Sequence, residues 1–358
     1  MNIGTDLRVF MLHVGNCIQS PGFSGQELYL KRHKFPKCID AWFLKHDIIN
    51  ADTQMQSLID KGLKINYGHF SNRKSILKLW HAGLKIRRMC KNDKYDLIHV
   101  FWGSTTALMT VIFSTKPVII SFSGSDLLGL KNSKGKITLS GRISKALSII
   151  AAYLADSLIT KSEEMKETLP EGLRIKTTVI PNGVNFSSFY LIPLADARTK
   201  LGWQSESKIV LFFSSGGAPV KNFKLALETF QKVKETISNA ALKVIDGGVD
   251  HNELVYYYNA SDAMLLTSFH EGSNNSLKEA MACNLPVISV PCGDAPERLR
   301  GLTNCYVSKE YDASELAEVL IRILQTGERS NGRDFIDELS LSLVADRIIE
   351  VYEKTLQV

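Results

Sequence analysis

The 358-residue sequence predicts an α/β protein made of two parallel-sheet domains in tandem. Short apolar runs alternate with amphipathic helical patterns along most of the chain. The alternation breaks once, at Pro181-Asn182-Gly183-Val184, and a second series of the same kind follows. The length suits two ordinary domains, and 44% apolar with 22% charged residues is the composition of a globular chain, not of a disordered or fibrous one.

In the first series, residues 7–14 (LRVFMLHV), 38–44 (CIDAWFL), 63–67 (LKINY), 96–102 (DLIHVFW), 117–122 (PVIISF), 157–160 (SLIT) and 177–180 (TTVI) are apolar runs of strand length. Helical patterns occupy 71–92, 104–114, 137–155 and 162–169 between them. Parallel strands need crossover connections, so this succession implies a parallel sheet with helices on both faces. The second series runs from strand 208–214 (KIVLFFS) through helix 221–237, strand LKVID, helix 251–260, strand AMLLT, helix 275–283, strand PVISV and helices 295–300 and 313–325. A last helix falls near 340–356. The expected division is 1–185, 186–339 and a terminal helical segment, 340–358, packing back toward the first domain.

Composition excludes several classes. No run of about 18 apolar residues occurs, and the opening MNIGTDLRVFMLHV lacks the basic flank and cleavage site of a secretory signal, so a cytoplasmic protein is expected. The six cysteines, Cys17, Cys38, Cys90, Cys283, Cys292 and Cys305, are scattered, without metal-ligand spacing, and read as reduced thiols. Neither series has a G-x-G-x-x-G turn after its first strand, which argues against a dehydrogenase. No G-x-S-x-G elbow supports a hydrolase triad. Residues 1–185 carry 26 Lys and Arg against 14 Asp and Glu, net +12, whereas 186–358 carry 17 against 23, net −6. An anionic partner is therefore expected for the first half only, and no nucleic acid is expected.

The stretch SFHEGSNNSLKEAMACNLPVISVPCGDAPERL, residues 268–299, places Glu271 at the carboxyl end of a strand and Glu279 a turn into the next helix. Open α/β sheets bind ligands beyond the carboxyl ends of their strands. Two carboxylates there could accept hydrogen bonds from sugar or ribose hydroxyls, and Gly272 would let the backbone approach a phosphate. The plainer alternative makes Ser276 and Glu279 a capping box and Glu271 a surface charge.

The Glu271-x7-Glu279 spacing within that phrase, together with VKNF (220–223), NGV (182–184) and SGSDLL (123–128), resembles the retaining glycosyltransferases of family 4. The resemblance implies the GT-B fold: two Rossmann-like domains whose parallel sheets face each other across a cleft, the first on the acceptor side and the second holding a nucleotide-sugar donor. It implies that Glu271 bonds the donor sugar and Glu279 the ribose, with the amides of Gly272, Ser273 and Asn274 facing sugar and diphosphate. Lys221, beside Asn222 at the start of a helix whose Phe223, Leu227, Phe230 and Val233 would face the core, corresponds to the lysine that neutralises the leaving diphosphate. Where the family has an arginine, five residues earlier, Gly216 stands; the amides of Ser215, Gly216 and Gly217 could serve instead as an anion nest. Ser123 replaces a histidine, and Asp126 would orient acceptor or sugar or else act as a loop carboxylate. Gly25 resembles the second glycine of a donor-side pair. Between LKVIDGG and YYYNASD the chain is shorter than in the family, as though one βα unit were missing.

The resemblance thus implies transfer of a sugar, from a UDP- or GDP-linked donor, to a hydroxyl of a glycan or lipid-linked glycan during surface polysaccharide, O-antigen or capsule synthesis. No cofactor is expected, and no metal, since no D-x-D pair ends a strand. The rival readings are a catalytically silent sugar-nucleotide binding protein and a GT-B epimerase. The basic helical segment 71–94, with Arg73, Lys74, Lys78, Lys85, Arg87, Arg88, Lys91 and Lys94 beside an apolar stripe of Ile76, Leu77, Leu79, Trp80, Leu84 and Ile86, is either a helix buried on one side or a peripheral contact with an anionic membrane.

Overall fold

The computed structural model describes residues 8–13, 48–69, 76–91 and 95–357. The predicted strand 38–44, Gly25, and Arg73, Lys74 and Lys94 lie outside them. The first domain runs β1 (Arg8–His13), α1 (Ile48–Asp60), β2 (Lys64–His69), α2 (Ile76–Lys91), β3 (Leu97–Phe101), α3 (Ser104–Phe113), β4 (Val118–Ser121), α4 (Ser125–Leu128), α5 (Leu139–Leu154), β5 (Ser157–Thr160), α6 (Glu163–Glu167), α7 (Glu171–Arg174) and β6 (Thr177–Val179). These strands form one parallel sheet in the order β2-β1-β3-β4-β5-β6. Every residue of β3 and β4 is buried, which is why both read as continuous apolar runs with no alternation.

The second domain runs α8 (Leu194–Leu201), β7 (Lys208–Phe213), α9 (Phe223–Thr236), β8 (Ala240–Ile245), α10 (Leu254–Ala260), β9 (Ala263–Leu266), α11 (Asn275–Ala282), β10 (Val287–Ser289), α12 (Ala295–Arg298), β11 (Tyr306–Val307), α13 (Ala313–Thr326) and α14 (Leu341–Leu356). Its parallel sheet has the order β11-β10-β9-β7-β8. β8 forms an edge, because the short link from Ile245 to Leu254 holds only a 3₁₀ turn and no further strand. α1 and α8 are not anticipated by the sequence reading. α9 corrects it: Leu225, Ala226, Thr229 and Val233 face the core, while Phe223 and Leu227 are exposed and Phe230 is only partly covered. The buried face is rotated from the expected stripe because α9 packs against α13 and β8, which cover its Leu225, Ala226, Thr229 and Val233 side; the helix itself starts at Phe223, after a separate 3₁₀ turn at Pro219–Lys221.

The chain crosses between domains twice. Val184 N donates to Leu339 O at 2.8 Å, tying the outward crossing to the return. α14 then lies on the first domain. Its Val344, Ala345, Ile348, Val351 and Tyr352 recur at helical spacing and pack with Leu97 and Phe101 of β3, Ile119, Ile159, and Met55 and Leu58 of α1. Tyr352 OH meets His99 Nδ1 at 2.7 Å, and His99 Nε2 meets Ser121 Oγ at 2.7 Å. Both ring nitrogens of His99 are thereby satisfied, and burial, with the charge of Lys161 adding, holds it down to about 3.

Candidate active site

The carboxyl ends of both sheets point into the junction between the domains. From the second sheet, the turn after β9 carries Glu271 and the turn after β7 carries Lys221. The two turns are bolted together: Phe269 N donates to Val220 O at 2.8 Å, and Thr267 Oγ1 donates to the carbonyls of Lys221 and Asn222 at 2.9 and 3.1 Å. Asn222 takes a left-handed conformation (φ 52°) between the 3₁₀ turn and α9. Lys221 therefore ends a turn and does not open a helix, and its charge is set by what it faces. Its Nζ lies 2.7 Å from Glu271 Oε1, with both side chains about 15% exposed. Ser268 Oγ donates to the same carboxylate oxygen at 2.7 Å. Burial alone would raise the Glu271 carboxyl, but the Lys221 charge and these hydrogen bonds outweigh it and hold the carboxyl below its ordinary value.

Glu279 is buried on α11, where it accepts from Tyr258 OH at 2.7 Å and faces His251 Nε2 at 3.2 Å. The hydrogen bond to Glu279 raises the His251 pKa although burial opposes it. The capping-box alternative is overturned: Asn274 caps α11, its side chain accepting from Leu277 N at 3.0 Å, and Glu279 points to Tyr258 and His251 instead. Asn274 N donates to Asp294 Oδ1 at 3.3 Å and Ser273 Oγ to Asp294 Oδ2 at 2.7 Å, so both residues are engaged with the β10–α12 turn. Gly272 is also required by the packing of the domain junction. A Cβ there would lie 2.4 Å from Ser123 O, because the Glu271 and Ser123 loops touch across the domain junction.

On the first-domain side, Asp126 is fully buried and its carboxylate accepts from the amides of Gly103, Ser123 and Gly124 at 2.8 to 3.2 Å. It shapes the loop that carries Ser123, which is the loop-carboxylate alternative; its carboxylate is spent on those amides. Burial raises its carboxyl, and the amide hydrogen bonds oppose the rise.

The turn at Ser215, Gly216 and Gly217 has φ values of 51°, 72° and 68°, and no atom would lie within 4 Å of a Cβ on either glycine. The open amide turn expected there exists, but it already holds an anion: Asp246, exposed at the end of β8, accepts from Gly217 N at 2.8 Å and from Ser214 Oγ. The Ser214 hydrogen bond first, then the Gly217 amide, lowers the Asp246 carboxyl.

Sequence reasoning missed Asp246, His251, Tyr258, Asp294 and two buried lysines. Lys278 of α11 is wholly buried and donates to Asn182 O at 2.9 Å and to Ser273 Oγ; burial holds it down to about 8. Lys161, just after β5, is buried with no hydrogen-bond partner for its Nζ among the described residues. Its one sequence signal is a lysine directly after a strand end, which is common on surfaces.

Two family models match the chain: glycosyltransferase family 4 over residues 45–188 and glycosyl transferases group 1 over residues 243–326. The chain belongs to the family 4 type of glycosyltransferase. This glycosyltransferase is 24% identical over 325 residues to an uncharacterized glycosyltransferase of Methanocaldococcus jannaschii, covering 87% of this chain and 90% of that one. It is 24% identical to the UDP-Gal:alpha-D-GlcNAc-diphosphoundecaprenol alpha-1,3-galactosyltransferase of Escherichia coli, over 66% of each chain. Its fold is GT-B, like that of Anabaena HepE solved in complex with UDP: TM-score 0.64 at 16% identity, covering 97% of this chain and 100% of that one.

Proposed function

We propose that this glycosyltransferase moves a sugar from a nucleotide diphosphate, UDP before GDP, to a hydroxyl of a growing surface glycan, with retention at the anomeric carbon and without a metal. The observation that carries the reading is the Lys221–Glu271 pair at the carboxyl edge of the second sheet. It offers an ionised acceptor for sugar hydroxyls and a cation for a leaving phosphate within one hydrogen-bond length. When a donor binds, Lys221 Nζ turns from Glu271 to the diphosphate, and Glu271 accepts from the sugar. Glu279, which Tyr258 steadies, accepts from the ribose hydroxyls in this reading. The acceptor hydroxyl attacks on the face the diphosphate leaves. Its oxygen forms the new bond to the anomeric carbon as the bond to phosphate breaks, and the departing phosphate oxygen takes its proton. The donor of the E. coli relative and the UDP held by HepE support UDP as the nucleotide, with uracil as its base.

The test is incubation with UDP- and GDP-sugars and a panel of glycan acceptors, with the anomeric configuration of the product read by NMR. Retained configuration supports the proposal and inversion refutes it. The rival reading, a silent binding protein, is favoured by one feature: Asp246 occupies the amide turn where a diphosphate would sit. Nucleotide binding without turnover would establish that reading, and an epimeric sugar nucleotide formed without acceptor would establish an epimerase.

A further inference from the structure

The outer surface of the first domain leaves apolar side chains uncovered in a pattern that core packing does not explain. On α5, Leu139, Ile143, Ile150 and Leu154 fall at intervals of four, seven and four residues, so they share one face. That face points outward: Leu139 at the start of the helix is 75% exposed and Tyr153, next to Leu154 at its end, 59%, whereas Ser148, Ala151 and Ala152 line the buried side. α3 packs beside α5 and shows Ile112 to solvent. α2 packs beside α3 through Gly83, whose Cβ would lie 2.5 Å from the Phe113 ring. The stripe expected to bury α2 is therefore split: Ile86 is in the core, while Trp80, 56% exposed, rests edge-on against Phe113 and Leu84 is open.

The charges on the same elements are of one sign. α2, α3, the segment 129–138 and α5 contain no aspartate or glutamate. Lys85, Arg87, Arg88 and Lys91 are exposed on α2, and Lys134, Lys136 and Arg142 around the start of α5. The surface reaches the cleft at one end: Lys131 Nζ donates to Phe269 O at 3.1 Å, and Gly135 lies against the Phe269 ring.

We propose that the α2–α3–α5 face is a docking surface for an anionic lipid bilayer, with the α5 apolar stripe and Trp80 entering the headgroup boundary and the flanking Lys and Arg meeting acidic headgroups. A stripe of large apolar side chains with basic flanks and no acid is the composition that lies in such an interface. A second copy meeting the patch symmetrically would set like charges against each other. No helix among the described residues is long and apolar enough to cross a membrane, so the contact is peripheral. The cleft then opens at the bilayer surface, where a lipid-linked acceptor would be presented. The proposal goes beyond the sugar-transfer reading and does not rest on it, since its test reads no activity.

The test is co-sedimentation of the full chain with phosphatidylcholine vesicles and with vesicles containing about one-third phosphatidylglycerol. Binding is expected only to the anionic vesicles, weakening at least tenfold as salt is raised. The exposed pair Ile143→Ser/Ile150→Ser should weaken it at least tenfold with an unchanged unfolding midpoint. If that variant is less stable, Lys136→Glu/Arg142→Glu reads the same surface by charge. Equal binding to both vesicles, no binding to either, or wild-type binding by both variants overturns the proposal. A concentration-dependent dimer abolished by the serine pair also overturns it and assigns the face to a second copy.

Discussion

Replacing Lys161 with methionine is expected to make the protein more stable. The lysine sits at the carboxyl end of β5, buried, with no hydrogen-bond partner for Nζ among the described residues. Burial, then the charge of Lys278, brings its pKa down from 10.5 to about 7, with Asp126 partly opposing. That difference of about 3.5 units corresponds to about 5 kcal/mol, at 1.36 kcal/mol per unit, as the cost of housing the lysine at neutral pH. Methionine has similar length and no charge, and imperfect repacking reduces the expected gain to about 3 kcal/mol. The pH dependence has a definite sign. The folded pKa lies below the unfolded one, so between about pH 7 and 10.5 the unfolded chain binds more protons and wild-type stability rises with pH. The advantage of Lys161→Met should be full at pH 7 and below, and shrink by about 1.4 kcal/mol per pH unit above it. Urea unfolding followed by circular dichroism at pH 6.5, 8 and 9 measures the gap. A variant less stable than wild type, or a gap that does not close as pH rises, would refute the reasoning.

Lys221→Ala is expected to slow sugar transfer by about 3 kcal/mol, the order for one oriented donor at a developing anion, while Glu271 loses its cation and its carboxyl titrates higher; steady-state kinetics at saturating donor would expose an error if kcat were unchanged. Asp246→Asn should tighten UDP binding several-fold, because it removes a carboxylate from the amide turn; calorimetry showing weaker binding would mean that Asp246 itself contacts the nucleotide. His251 gains a partner in the folded state, so its contribution to stability is full below about pH 6.5 and lost as pH rises through its raised pKa. Relative to His251→Gln, wild type should therefore lose stability as pH rises above about 6.5, and parallel profiles would contradict the assignment. EDTA should leave transfer unchanged, and a sharp loss of rate would show that a metal shares the diphosphate with Lys221.

Local pattern determined much of this protein. The buried parallel strands announce themselves because a strand covered on both faces must be apolar at every position, as LIHVF and VIIS are. The stripe of α14 is equally plain, since a helix covered on one side repeats at 3.6 residues. Glu271, Lys221 and Glu279 stand out in the sequence because the phrase around them is specific, and strand-end turns of a parallel sheet converge, as the Lys221–Glu271 pair does. Tertiary structure alone decided the rest. Whether Phe223, Leu227, Trp80 and Leu84 face core or solvent depends on which elements pack against each helix, and periodicity does not supply them. Asp246 reaches the Gly216 turn from another strand, 29 residues along the chain from its partner Gly217, so no local spacing records the contact. Lys161 reads as an ordinary surface lysine in sequence; its cost comes from its burial after β5, to which the like charge of Lys278, from the second domain, adds. Pattern reports the faces a chain must hide, whereas charges that meet across a domain junction are assembled by folding, where desolvation and distance set their chemistry.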